Sequence, residues 1–362
     1  MYRKVSRTFV SLCLAFCLVG LLPLRAAAWG RDGHQIVAQI ALWRLDQLNA
    51  ENALNRISTI LNANVGTSIP NRPNDLFDAS VWPDEVRGNP QYKFADDLHF
   101  VSIPLDRNND PQALDAYKKV RDCKRRQDIP QIPEGVCIIG ALVHYTKVLE
   151  TSSSKKARLE ALSFIVHFMG DLHQPLHTSE DKEFTNHLGG KGDRGGNHRF
   201  LFYLSDEVFL SNNIKSCVQT PNACTEKFGN KRSNLKLHAA WDKYMIQTEM
   251  RTNADRGPDF KAYGESLIAK LPSDPSAARY AAIESGDFIQ WARETHHVAE
   301  QNAYALTGPK LKVSAADKKE YEFYLLNEAY REKNIAVIDE QLIRAGIRLA
   351  AVLRRIFPDS ET

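Results

Sequence analysis

The stretch that most restricts this 362-residue chain is FIVHFMGDLHQPLHTSE, residues 164–180. His167 and Asp171 stand four residues apart in an otherwise apolar run, and on a helix an i,i+4 pair projects from one face. His173 and His177 follow, where Pro175 is expected to end the helix. Imidazole and carboxylate groups set among Phe, Ile, Val, Met and Leu need partners to offset desolvation. Two kinds of partner are open: a buried His–Asp hydrogen bond, with the later histidines exposed, or a metal ion. His238 and Asp242, in NLKLHAAWDKYMIQTEM (234–250), repeat the spacing.

The first residues bear on the compartment. Arg3, Lys4 and Arg7 precede the apolar run TFVSLCLAFCLVGLLPL, and Ala26, Ala27 and Ala28 supply small residues for cleavage. This pattern predicts a signal peptide over residues 1–28, leaving 29–362 as a single domain that begins at Trp29. A membrane anchor is the weaker reading, because the run is short and no later stretch is long enough to span a bilayer. Removing Arg3, Lys4, Arg7 and Arg25 takes the formal charge from +3 to −1, which gives no support to a broad electrostatic nucleic-acid binder. Cys13 and Cys17 leave with the leader. Cys123, Cys137, Cys217 and Cys224 are expected to form bridges in an oxidising compartment, with the local pairs Cys123–Cys137 and Cys217–Cys224 favoured among three connectivities.

Along the chain, residues 34–48, 51–61, 141–150, 157–170, 234–250, 260–271 and 287–306 carry helical spacing. So does the terminal segment, where Ile335, Ile338, Leu342, Ala345, Leu349, Val352 and Ile356 form one continuous seam that needs other helices to lie against. Residues 68–76 read as a Pro- and Asn-rich loop, and 99–101 as a short extended segment outside any parallel sheet. Residues 106–132 are polar and irregular, with the CKRRQ cluster read as solvated surface. GGKGDRGGN (189–197) is too glycine-rich for a regular element, and it lacks both the Lys-Ser/Thr ending of a P-loop and a βαβ setting. Residues 198–204 suggest a strand, followed by a long polar excursion to 233. The chain is therefore expected to be all-α in class, mainly helical with long loops.

His34, Asp84, His99, His167, Asp171, His177, His238 and Asp242 all fall in such motifs. A catalytic zinc needs about three protein ligands and an open place for water, so eight such groups suffice for two or three ions. The mature start WGRDGH, then VWPDEVR, LHF, HFMGDLHQPLH, GGN and NLKLHAAWD closely resemble the zinc-dependent S1/P1 nuclease family, within the phospholipase C/P1 nuclease-like fold. The resemblance covers nearly the whole chain from Trp29.

That resemblance implies a trinuclear zinc cleft and no organic cofactor. The α-amine and backbone carbonyl of Trp29, with His34, would hold one zinc; Asp84, His99 and His167 would hold a second; Asp171 would bridge these two. His177, His238 and Asp242 would hold the third. A free α-amine, with a pKa of about 8, can donate to a metal where an amide cannot, which ties the site to cleavage after Ala28. The implied reaction is hydrolysis of phosphodiesters in single-stranded DNA and RNA to 5′-phosphorylated products, with 3′-mononucleotides as further substrates. Asp84 and Asp171 are the implied catalytic carboxylates, and Arg87, three residues after Asp84, would neutralise the scissile phosphate.

Phe100 resembles the aromatic residue that stacks on a nucleobase, which favours unpaired bases. Two residues on, Ser102 stands where the fungal pattern has an aspartate, so base preference departs from that pattern. Asn197, from the matching GGN, completes the implied substrate contacts. His173 has no ligand role in the family and is read as a neighbour of the site or as solvent-facing. The alternative is a zinc phospholipase C, whose last-site pattern has Glu where this chain has Asp242. The absence of an Asn-x-Ser/Thr sequon leans toward a periplasmic or secreted protein, expected as a monomer.

Overall fold

The computed structural model describes residues 29–67, 69–105, 117–129, 132–185, 189–203, 225–228, 231–234, 236–307, 310–314, 320–326 and 328–359. The predicted leader and the Cys217–Cys224 pair lie outside the described residues.

Helices dominate. The first three are α1 (Arg31–Gln47), α2 (Glu51–Leu61) and α3 (Leu76–Val86), the last capped by Asp75, whose carboxylate accepts from the Asp78 amide at 2.7 Å. A 3₁₀ stretch, Pro90–Leu98, delivers the chain to His99, and β1 (Ile103–Pro104) follows. After α4 (Lys119–Asp122) come α5 (Ile138–Thr151) and α6 (Lys155–Leu172), which pack against each other. A disulfide joins Cys123 to Cys137, the residue that caps α5.

Strands are few and short: β2 (Ser179–Glu180), β3 (Phe200–Tyr203) and the hairpin β4 (Thr225–Phe228) with β5 (Lys231–Asn234). The predicted helix over 234–250 is divided. It starts as α7 (Leu237–Ala239), widens into a π turn at Ala240–Tyr244, and resumes as α8 (Met245–Thr252). Next come α9 (Phe260–Ile268), α10 (Ala278–Glu284) and α11 (Phe288–Val298), then a second π turn at Ala299–Ala303. The chain closes with β6 (Lys310–Ser314), β7 (Glu320–Leu326) and α12 (Glu328–Ile356).

The core forms around α1, which packs on α12, α9 and α3, while α6 packs on α5, α3 and α12. All seven seam residues of α12 are buried, and each of the Ile, Leu and Val side chains among them contributes roughly 1.5–3 kcal/mol on burial. The crossing of α1 and α12 is close because residue 346 is glycine: a Cβ there would lie 2.5 Å from Ile40 Cβ. One hydrophobic cluster runs from Trp29 to Phe357. Among the described residues no helix is long and apolar enough to cross a membrane.

Two expectations need correction. The extended segment placed at 99–101 lies two residues later, because His99 closes the 3₁₀ stretch with helical dihedrals. That segment also belongs to a parallel pair, β1 with β2. Amides of Val101 and Leu105 donate to the carbonyls of His177 (2.8 Å) and Glu180 (3.1 Å). Strands of two residues leave no alternation for sequence to register. The strand expected near 198–204 forms as β3 and pairs in parallel with β7, itself antiparallel to β6.

Candidate metal centre

The middle of the site is Asp171, fully buried near the end of α6. Its Oδ2 lies 3.0 Å from His99 Nδ1, 3.2 Å from His167 Nε2 and 4.0 Å from His177 Nδ1, and its Oδ1 lies 3.3 Å from His34 Nε2. Asp84, from α3, puts Oδ1 3.8 Å from both His99 Nδ1 and His167 Nε2. A second constellation adjoins it, with Asp242 3.9 Å from His177 Nε2 and 3.4 Å from His238 Nε2. Three triplets thus converge, each with potential ligand atoms within 4.8 Å of one another: His34, Asp84 and His167; His99, His167 and Asp171; His177, His238 and Asp242.

Close backbone approach makes this possible. His34 stacks on His167 with ring centroids 3.9 Å apart, and a Cβ on Gly170 would come within 2.7 Å of His34 Nδ1. Trp29 is fully buried beside them, its indole N–H donating to the Gly170 carbonyl at 2.7 Å. The Gly30 amide donates to the Asp242 carbonyl at 2.7 Å, so residues 29–30 join both constellations.

The imidazoles are oriented as ligands. Nδ1 of His167, His177 and His238 lies 2.7, 2.7 and 2.6 Å from the carbonyls of Ser80, His99 and Gly195. A carbonyl only accepts, so Nδ1 carries the proton and Nε2 presents its lone pair to the cluster. Both ring nitrogens of His34, Nε2 of His99 and His177, and Oδ1 of Asp171 are buried without a hydrogen-bond partner. Each such group costs roughly 1–3 kcal/mol if left so. A divalent cation fits this donor set, because it satisfies several of these atoms at once.

Electrostatics agree with that fit. Burial pushes the pKa of His34 and His99 down to about 4, that of His238 to about 3, and that of His177 below its usual value. These rings are neutral near pH 7, as metal ligation requires. His167 goes the other way: burial opposes its charge, but Asp171 and Asp84 outweigh it. Burial likewise opposes charge on Asp171, yet His167 and His177 hold its carboxyl well below the ordinary range. Asp242 is pushed well above that range by burial, and the Gln174 amide that donates to it does not compensate.

A cavity of about 710 Å³ opens over the cluster. Arg87, Phe100, Ser102 and Asn197 all line it, together with His99, His177 and His238. Arg87 donates to Asp84 at 3.1 Å and to Asp96 at 3.4 Å. Phe100 leaves 39% of its surface exposed, one of few large apolar side chains so placed among the described residues. Asn197 Nδ2 donates to the Arg194 carbonyl at 3.0 Å.

Sequence reasoning left His173 undecided, and it missed Arg348 altogether. His173 is buried, its Nδ1 donating to the Met169 carbonyl at 2.8 Å, so its Nε2 accepts from Arg348 Nη1 at 3.0 Å. Burial and the adjacent Arg348 hold its pKa well below the usual value, so it stays neutral. Arg348 also donates to the Ile283 carbonyl at 2.8 Å and to Glu294. It therefore fastens the turn that follows Asp171 to α12. A buried arginine in the middle of a seam helix was the available signal.

Fold and site together define a helical hydrolase with clustered His and Asp metal ligands. The chain belongs to the S1/P1 nuclease family, whose sequence model matches residues 29–210 and 221–358. It is 31% identical to Nuclease S1 of Aspergillus oryzae over 354 residues, covering 92% of this chain and 96% of that protein. It is 25% identical to Nuclease P1 of Penicillium citrinum, covering 91% and 97%, and 26% identical to Endonuclease 4 of Arabidopsis thaliana, covering 92% and 90%. The chain is an S1/P1-type nuclease, a phosphodiester hydrolase of a zinc-dependent family. These relatives favour nuclease over the phospholipase C alternative.

Proposed function

We propose that the chain is an endonuclease that cuts single-stranded DNA and RNA to 5′-phosphorylated products and also acts on 3′-mononucleotides. Three zinc ions are assigned to it: one at the Trp29 amine and carbonyl with His34, one at Asp84, His99 and His167, with Asp171 shared between them, and one at His177, His238 and Asp242. The observation that carries this reading is the set of inward-facing imidazole lone pairs and unpartnered atoms around Asp171, beneath a cleft that exposes Phe100. Bound zinc would supply Lewis acidity toward the phosphodiester and lower the pKa of water.

The chain's own groups do the rest. Arg87 is held by Asp84 and Asp96 with its guanidinium on the cleft wall, where a planar fork of donors suits phosphate oxygens. Phe100 offers a face for base stacking, which a base in a duplex cannot accept. The Ser102 hydroxyl and the Asn197 amide, which line the same cavity, supply neutral polar contacts, so base recognition rests on hydrogen bonds without a carboxylate. We further assign residues 29–362 to one exported nuclease domain, periplasmic or secreted and monomeric; the single core cluster supports one domain, and the disulfide an oxidising compartment.

The test uses protein whose first residue is verified as Trp29. We expect about three zinc ions per chain and chelator-sensitive cleavage of single-stranded DNA, RNA and a 3′-mononucleotide. Protein retaining even one residue before Trp29 should lose metal and activity together. Full metal content with inert nucleic acid and turnover of phosphatidylcholine would overturn the reading.

A further inference from the structure

The cleft is electrically uneven. On the side of Asp84, the Arg87 guanidinium is offset by two carboxylates, and Asp97 pairs with Arg126. On the side of the third triplet, Arg194 and Lys236 line the same cavity, and among the described residues neither has a carboxylate within ion-pair distance. Lys236 is half-buried, two residues before His238, and Arg194 precedes the glycine whose carbonyl holds the His238 ring.

Arg194 is exposed, and Lys236 is the more enclosed of the two. Half-burying an ammonium without a counter-ion costs free energy. Arg194 occupies the left-handed region at φ +54°, which non-glycine residues rarely adopt, fixed by the turn that Asn197 closes onto its carbonyl. Arg194, Lys236 and His198 all line this one cavity. Two cations with no ion pair among the described residues thus share a cavity wall with an imidazole, and the group that suits them is an anion.

We propose that Arg194 and Lys236, beside His198, form a subsite for a second, non-scissile phosphate of a polynucleotide strand. The inference rests on the nuclease reading above and deepens it: strands with several phosphates gain a contact that a dinucleotide or a 3′-mononucleotide lacks. It also accounts for strand binding by a chain whose net charge, without the leader, is close to zero. Here the phosphate contact is local, built from two side chains on one wall.

The zinc-loaded enzyme is compared with a double variant, Lys236→Gln with Arg194→Asn, the asparagine being chosen because it tolerates positive φ. The ratio of kcat/KM for a single-stranded hexanucleotide to that for a dinucleotide is expected to fall about tenfold. Binding of a phosphorothioate hexanucleotide should lose roughly one unit from its log–log salt slope. Lys236→Arg, which keeps the charge, should retain both properties and controls for damage to the fold. An active parent whose double variant keeps ratio and slope overturns the subsite alone. If the variant changes only inhibition by inorganic phosphate, the site takes free phosphate and the strand subsite is again overturned. A parent that cleaves neither substrate overturns the nuclease reading itself.

Discussion

His167–Asp171 and His238–Asp242 have the same i,i+4 spacing, and their closest nitrogen–oxygen distances are similar, 3.2 and 3.4 Å. Their supports differ. The first pair lies within the regular helix α6, and the His167 ring is held by the Ser80 carbonyl, part of the backbone of α3. The second begins in the three residues of α7 and ends in a π turn, and its ring is held by the Gly195 carbonyl in a glycine-rich loop. Asp171 is ringed by four imidazoles within 4.0 Å, whereas Asp242 is met by two and by the Gln174 amide. A shared motif in sequence therefore conceals a rigid half and a half whose geometry depends on a loop.

The largest expected effect is at the rigid half. Asp171→Asn keeps the shape but removes the charge on which four histidines converge. At least two of the three proposed zinc ions should be lost from the purified protein, and kcat/KM on single-stranded DNA should fall by about 10³-fold or more. A variant that kept full metal content and parental turnover would remove Asp171 from the centre of the site.

A smaller change should separate the halves. Gly195 has φ +59°, and a Cβ there would lie 2.3 Å from the Leu176 carbonyl oxygen. Gly195→Ala must therefore shift the carbonyl that orients His238, and loss of such a support typically costs 10–100-fold in metal affinity or activity. One zinc per chain should become readily removable while the other two stay. Simultaneous release of all three on titration with chelator would show that the halves are a single cooperative unit.

The same contrast explains what was legible in the sequence. Helix periodicity located α1, α2, α5, α6, α9, α11 and α12, because each carries apolar side chains at helical spacing over at least two turns. The seven residues of α10 are too few to display a period, and the π turn at Ala240–Tyr244 leaves no compositional mark. His167 and Asp171 stood out because His and Asp in an apolar run are costly without partners, whereas the other residues gathered around them were assigned by the resemblance to the S1/P1 nuclease family. What orients them could not be named. The Ser80, His99 and Gly195 carbonyls are backbone atoms with no residue identity, and Arg348 meets His173 across 175 residues of chain.

The smallest expected effect concerns the chain without its metal. His34, His99, His177 and His238 have folded-state pKa values below the ordinary histidine value, from 6.5 to about 4 for His34 and His99. In the unfolded chain these rings take up protons near pH 6.5, whereas in the fold they resist them. The unfolded state then binds more protons, so stability is present above pH 6.5 and lost as pH falls toward 4. His167 and Asp242, both with raised pKa values, oppose this trend, but they are two groups against four. Thermal unfolding of chelator-treated protein should therefore move to lower temperature between pH 6.5 and 4, and saturating zinc should diminish the shift at the upper end, where metal still competes with protons. A midpoint that stayed constant, or rose, on acidification would mean that these imidazoles are already hydrated and protonated when the metal leaves, and that the inward-facing geometry persists only while the cation is bound.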